Sequence, residues 1–60
     1  MIDAQTAARI AMRRVPGTVI NVELDRENGR MVYEVSIMTN LGVYEVEVDA
    51  FTGSIIKIDR

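Results

Sequence analysis

The groups in this chain that could do chemistry are carboxylates. Nine Asp and Glu face seven Lys and Arg, and there is neither His nor Cys. Without His the commonest general base and the commonest metal ligand are missing. Without Cys there is no thiolate nucleophile, no thiolate metal site and no disulfide, so cysteine chemistry reports nothing about redox compartment. The acids recur with alternate spacing: Glu23 and Asp25, then Glu34, then Glu45, Glu47 and Asp49. Paired carboxylates do acid–base work when a pocket splits their pKa values, and Ca²⁺ gathers six to eight oxygens from converging loops. Alternation instead describes strands, whose side chains stand in rows on a flat face and converge poorly. No catalytic residue, metal or cofactor is therefore expected. The acids read as a solvated face, with Lys57 neutralising Glu47.

The stretch VYEVEVDAFTGSIIKID, residues 43–59, poses the sharpest alternative. Asp49 either binds something or closes a turn. A three-residue loop Phe51-Thr52-Gly53, with Gly53 in the left-handed position, pairs Ala50 with Ser54. It also sets Val48 opposite Ile56 and Val46 opposite Ile58, so that apolar residues face one way. Asp49 then accepts from the Thr52 hydroxyl or a nearby backbone amide, as Asx residues do in turns. The expected role of Asp49, Thr52 and Gly53 is structural.

The elements that hold these residues can be read in order. IDAQTAARIAMRRVPG predicts a short helix: Asp3 is a candidate N-cap, good helix formers follow, and Arg9, Arg13 and Arg14 suit the C-terminal dipole. Pro16 and Gly17 stop it. Ala4, Ala7, Ala8, Ile10, Ala11 and Val15 approximate an apolar stripe, and Ile2 is placed to staple the first turn. From Thr18 the period becomes two. Ile20, Val22 and Leu24 share a face, as do Tyr33, Val35 and Ile37; then Tyr44, Val46 and Val48; then Ile56 and Ile58. Four alternating runs between turn signals predict an antiparallel meander.

Hairpin parity refines the pairing, because partners across a ladder point the same way. A two-residue turn at Asn28-Gly29 pairs Leu24 with Tyr33, Val22 with Val35 and Ile20 with Ile37. An even loop around Leu41-Gly42 pairs Ile37 with Val46 and Val35 with Val48. In that register Glu23 lies opposite Glu34, Glu34 opposite Asp49, and Ser36 opposite Glu47.

The residues AARIAMRRVPG, VINVELDRENGRMVYEVSI and GVYEVEVDAFTGSII, in this order and spacing, resemble the PepSY domain. The matching positions are Ala7, Ile10, Ala11, Pro16, Gly17, Val19, Val22, Leu24, Tyr33, Glu34, Val35, Tyr44, Val46, Val48, Asp49, Ala50, Thr52 and Gly53. The usual Glu of the helix's first turn is absent, with Gln5 and Thr6 in those places. The resemblance covers nearly the whole chain and implies one PepSY-like domain over residues 1–60. It implies a half-cystatin-like α+β fold, one N-terminal helix packed on a four-stranded antiparallel meander sheet. It also implies a regulatory or inhibitory role towards a peptidase or a neighbouring domain, without catalytic residues, in a secreted or cell-envelope setting.

The formal charge of −2 is too small to argue for nucleic acid or an anionic membrane. Sheet-based RNA binders carry aromatics on the open face, whereas Tyr33 and Tyr44 fall on the helix side. No apolar run reaches the length of a membrane helix, and the N-terminus lacks the regions of a signal peptide. A chain of 60 residues buries only about 60% of its unfolded surface, and one helix cannot cover both faces of a sheet. The face opposite the helix is expected to expose Val19, Val32, Met38 and Ile55 among Glu34, Glu45 and Glu47. Scattered exposed apolars are ordinary, whereas a contiguous apolar patch marks an interface, and the reading expected here is the interface. Its occupant is either a protein partner or a second copy in a homodimer, and the edge strands Thr18–Asp25 and Ser54–Asp59 offer further pairing positions.

Overall fold

The computed structural model describes residues 1–60, and its chain order is α1 (Ala4–Arg14), β1 (Thr18–Glu27), β2 (Arg30–Thr39), β3 (Gly42–Asp49) and β4 (Ile55–Asp59). The four strands form one antiparallel sheet in sequential order, and α1 crosses β1, β2 and β3. The architecture is the α+β arrangement of one helix on a meander sheet. Asp3 caps the helix by accepting from the Thr6 N–H at 2.8 Å, satisfying a donor that the first turn leaves free. The Val15 N–H donates to Ala11 O at 2.9 Å and closes the last turn before Pro16.

Only small residues of the helix reach full burial. Ala7 and Ala11 are buried, and they let α1 approach the sheet closely. Beneath them lie Tyr33, Val35 and Ile37 of β2, Val46 and Val48 of β3, and Ala50, with Ile2, Ile10, Met12, Val15, Val19, Val22, Met31, Ile55 and Ile58 packed around. Each fully buried Val or Ile contributes roughly 1.5–3 kcal/mol relative to exposure. The N-terminal segment is tied down at the same place. The Ile2 N–H donates to Ala50 O at 2.8 Å, and the Tyr33 hydroxyl donates to Ile2 O at 2.8 Å.

The first hairpin turns at Asn28-Gly29, both with positive φ (52° and 76°), the geometry of a type I′ turn. Leu24 faces Tyr33 and Val22 faces Val35. Ile20 does not face Ile37. A bulge between Val19 and Asn21 gives that place to Val19, so Val19 packs against the core while Ile20 is exposed. The inserted residue breaks the period of two, and Val19 and Val22 come to share a face three residues apart.

The second hairpin also departs from expectation. Thr39 pairs with Gly42, leaving the two-residue loop Asn40-Leu41. Ile37 therefore faces Tyr44, Val35 faces Val46 and Tyr33 faces Val48. The loop length stays even, so every side chain keeps its face, but the partners move by two. Thr39 accounts for the choice: its Oγ1 accepts from the Leu41 N–H at 3.0 Å and donates to Gly42 O at 2.8 Å.

In the third hairpin Val46 faces Ile58, but Val48 faces Ile55 rather than Ile56. The Asp49 N–H donates to Ser54 O, and the Gly53 N–H to Asp49 O, enclosing a four-residue loop instead of pairing Ala50 with Ser54. Ala50 is instead drawn into the core, its N–H donating to Met31 O at 3.0 Å. A bulge at Ile56 absorbs the extra residue and restores the register at Lys57 and Glu47. It also exchanges two side chains, placing Ile55 against the core and leaving Ile56 exposed.

Candidate interaction surface

The sheet face that α1 leaves uncovered is laid out by the ladder. Successive rungs read Thr18, Met38 and Val43; then Asn21, Ser36, Glu45 and Asp59; then Glu23, Glu34, Glu47 and Lys57; then Asp25, Val32 and Asp49; then Glu27 and Arg30. The facing of Glu23 and Glu34 agrees with the sequence reading. The facing of Glu34 with Asp49 and of Ser36 with Glu47 does not: Glu34 meets Glu47, and Ser36 meets Glu45. The same two-residue slide of the second hairpin causes both differences.

The expected surface changes accordingly. Val19 and Ile55 leave it for the helix side through the two bulges. Val32 remains on it but is only 1% exposed. It lies between Asp25 and Asp49 in a cleft whose other walls are Glu27, Asn28, Arg30, Glu47 and Ile56. Long side chains and the bulged Ile56 roof it without help from the helix. Met38 is 50% exposed, Glu45 is exposed, and Glu34 and Glu47 are half-buried. Two apolar members were missed. Val43 pairs with Met38 and is 42% exposed, and Ile56 is 39% exposed. Val43 was legible, since it shares the parity of Glu45. Ile56 was not, because only the bulge puts it there.

Asp49 is a turn residue in this structure. Its Oδ1 accepts from the Phe51 N–H at 2.8 Å and the Thr52 N–H at 2.9 Å, while Oδ2 lies 3.7 Å from Arg30 Nε. Backbone donors, Thr52 first, hold its carboxyl below the ordinary aspartate value. Thr52 Oγ1 accepts from the Ser54 N–H at 3.1 Å, and Gly53 has φ +79°. The left-handed conformation favours glycine there, and a side chain would also meet Ile10 Cδ1.

The remaining acids are less well served. Carboxylate oxygens of Asp25, Glu27 and Glu34 lie within 4.8 Å of one another, so part of the acidic row does converge. Long Glu side chains on neighbouring strands reach diagonally, which counting rungs does not reveal. A hydrogen bond with Glu27 is the leading cause pushing Glu34 up to about 7, followed by partial burial and the charges of Glu27, Asp25 and Glu45. Burial, then the charge of Glu27, raises Glu47. Lys57 faces Glu47 on the ladder, but its Nζ pairs with Asp59 Oδ2 at 3.2 Å. A Ca²⁺ site gathers its six to eight oxygens from converging loops, whereas these three carboxylates stand on the two strands of one hairpin.

A second recess lies at the end of α1, lined by Arg14, Val15, Pro16, Thr39, Asn40, Leu41 and Tyr44. Its hydroxyls have no adjacent carboxylate among these residues to act as a base, and Arg60 stacks over the Tyr44 ring, 5.6 Å from its centroid. The molecule thus presents a covered apolar face and an open face mixing acids with exposed Met38, Val43 and Ile56. No helix is long and apolar enough to cross a membrane.

One helix lying across a four-stranded meander, with the opposite face bare, defines a small α+β scaffold also found in solved structures. A candidate lipoprotein from Clostridium difficile 630 is similar with a TM-score of 0.95 and 25% identity, covering 98% of this chain and 39% of that one. Residues 1–59 match the family described as "Peptidase propeptide and YPEB domain", and the chain belongs to this PepSY family. The uncharacterized protein YkoJ of Bacillus subtilis (strain 168) is 39% identical over 57 residues, 93% of this chain and 34% of YkoJ. The chain therefore spans about a third of that relative's length. The family is a propeptide and regulatory one, generally without catalysis.

Proposed function

We propose that this PepSY domain, a single unit over residues 1–60, is a non-catalytic protein-interaction module. Its open face docks on a peptidase or on a neighbouring domain of its parent protein and restrains it. The observation that carries this reading is the cross-strand pair Met38 and Val43, half exposed on the face the helix leaves bare. Exposed apolar area rimmed by polar groups is the usual mark of a docking site. Glu45 on the adjoining rung, and Glu34 and Glu47 on the rung after it, supply the polar part of the surface. Asp49, Thr52 and Gly53 serve the turn and leave recognition to the strands. The family description and the likeness to a candidate lipoprotein support a secreted or envelope setting.

The same apolar pair supports a second reading, a homodimer without inhibitory activity. Light scattering over a hundredfold concentration range, on the native chain and on M38K/V43K, separates the two. An inhibitor stays monomeric in both forms, and the double variant loses inhibition of thermolysin-like peptidases. A homodimer dissociates on the double substitution and inhibits nothing. Unchanged mass together with unchanged inhibition in the variant would remove the open face from the function.

A further inference from the structure

The open face holds more negative charge at close range than its cations answer. On β1 stand Glu23, Asp25 and Glu27; on β2, Arg30 and Glu34; on β3, Glu45, Glu47 and Asp49; on β4, Lys57 and Asp59. Both cations are engaged at the margins, Arg30 with Asp49 at 3.7 Å and Lys57 with Asp59 at 3.2 Å. Arg26 pairs with Met31 on the rung that points to the helix side. The three carboxylates within 4.8 Å of one another are thus left without an ion pair. The strands beneath them are fixed by the ladder, and Glu34 is half-buried, so water screens the cluster incompletely.

A shared proton resolves such a crowd. It turns the repulsion of two carboxylates into a charge-assisted hydrogen bond. We propose that the open face is proton-responsive: as pH falls, one proton enters the Asp25–Glu27–Glu34 cluster, is shared between Glu34 and Glu27, and strengthens the fold. The step also removes one negative charge from the open face, two rungs from Met38 and Val43, and it stands whether or not that face meets a partner. The push of Glu34 to about 7, against 4.5 for an ordinary Glu, agrees with the geometry.

The sign follows from linkage. Between about 4.5 and 7 the folded chain holds a proton that the unfolded chain has released. Stability from this source therefore falls as pH rises across that interval, and is level above it.

The test is a ¹³C NMR titration of the side-chain carboxyls on the native chain. Glu34 should titrate with a midpoint near 7, and E27Q should return the Glu34 midpoint towards 4.5. Urea midpoints measured from pH 5.5 to 8.5 should fall with pH in the native chain and flatten in E34Q. An ordinary Glu34 midpoint in the native chain would overturn the proposal, as would a Glu34 midpoint indifferent to E27Q. The native titration decides the matter even where a variant folds poorly.

Discussion

Asp49 and Glu34 lie on neighbouring strands and the same sheet face, yet their carboxyls are pushed in opposite directions. Asp49 stands at the end of its strand, where the chain turns and leaves the Phe51 and Thr52 N–H groups free to donate to it. Glu34 stands mid-strand, where the backbone N–H groups are committed to the ladder and its nearest polar neighbours are other acids. The lesson is that a strand end can satisfy a carboxylate with backbone, whereas a strand centre needs a counter-ion or a proton. Two acids of similar intrinsic strength thus act on stability over different ranges of pH.

The comparison breaks most severely at Gly53. G53A forces a side chain into a left-handed conformation and against Ile10, at 3.2 Å, and should cost about 1–2 kcal/mol in urea unfolding at pH 7. It disturbs the turn that holds Asp49 and should leave the Glu34 midpoint unmoved. D49A comes next. By analogy with loss of a helix cap, it should lower Tm at pH 7 by roughly 5 °C. Its stabilisation is present above the ordinary aspartate value of 3.8 and is lost as pH falls through the lower value in the fold. D49A should therefore flatten the acid limb below 3.8 and keep the decline between about 4.5 and 7, the reverse of E34Q. If one substitution flattened both limbs, the two sites would not be independent. The mildest test is T52V, which removes the hydroxyl accepting from Ser54 and should cost only a few tenths of a kcal/mol at this exposed site. A larger loss would shift credit for the turn from Asp49 to Thr52.

Much of the fold was legible because it depends on local pattern. The helix limits follow from Asp3, Pro16 and the residues between, and the Asn28-Gly29 turn follows from its residue types. The core members Tyr33, Val35, Ile37, Val46 and Val48 follow from alternation alone. The open face was legible only in part. Met38, Glu34, Glu45 and Glu47 are where parity places them, whereas Val19, Ile55 and Ile56 changed sides at bulges, and Val32 proved buried on the face expected to be open. Leu24 shows the converse: it has the parity of the core, but on an edge strand it stays exposed.

The sequence by itself determined which side chains alternate, where the chain turns, and that no His or Cys chemistry is present. These are properties of near neighbours, carried by residue type and by a period of 3.6 or two. The folded structure decided the register of the second hairpin, through the Thr39 contacts across its turn, because a slide by two residues preserves every facing and leaves an alternating pattern unchanged. It also decided the two bulges, where packing against α1 and closure of the Asp49 turn outweighed strict alternation. The meeting of Asp25, Glu27 and Glu34 belongs to the same class, since side chains from two strands converge only once the register between them is set.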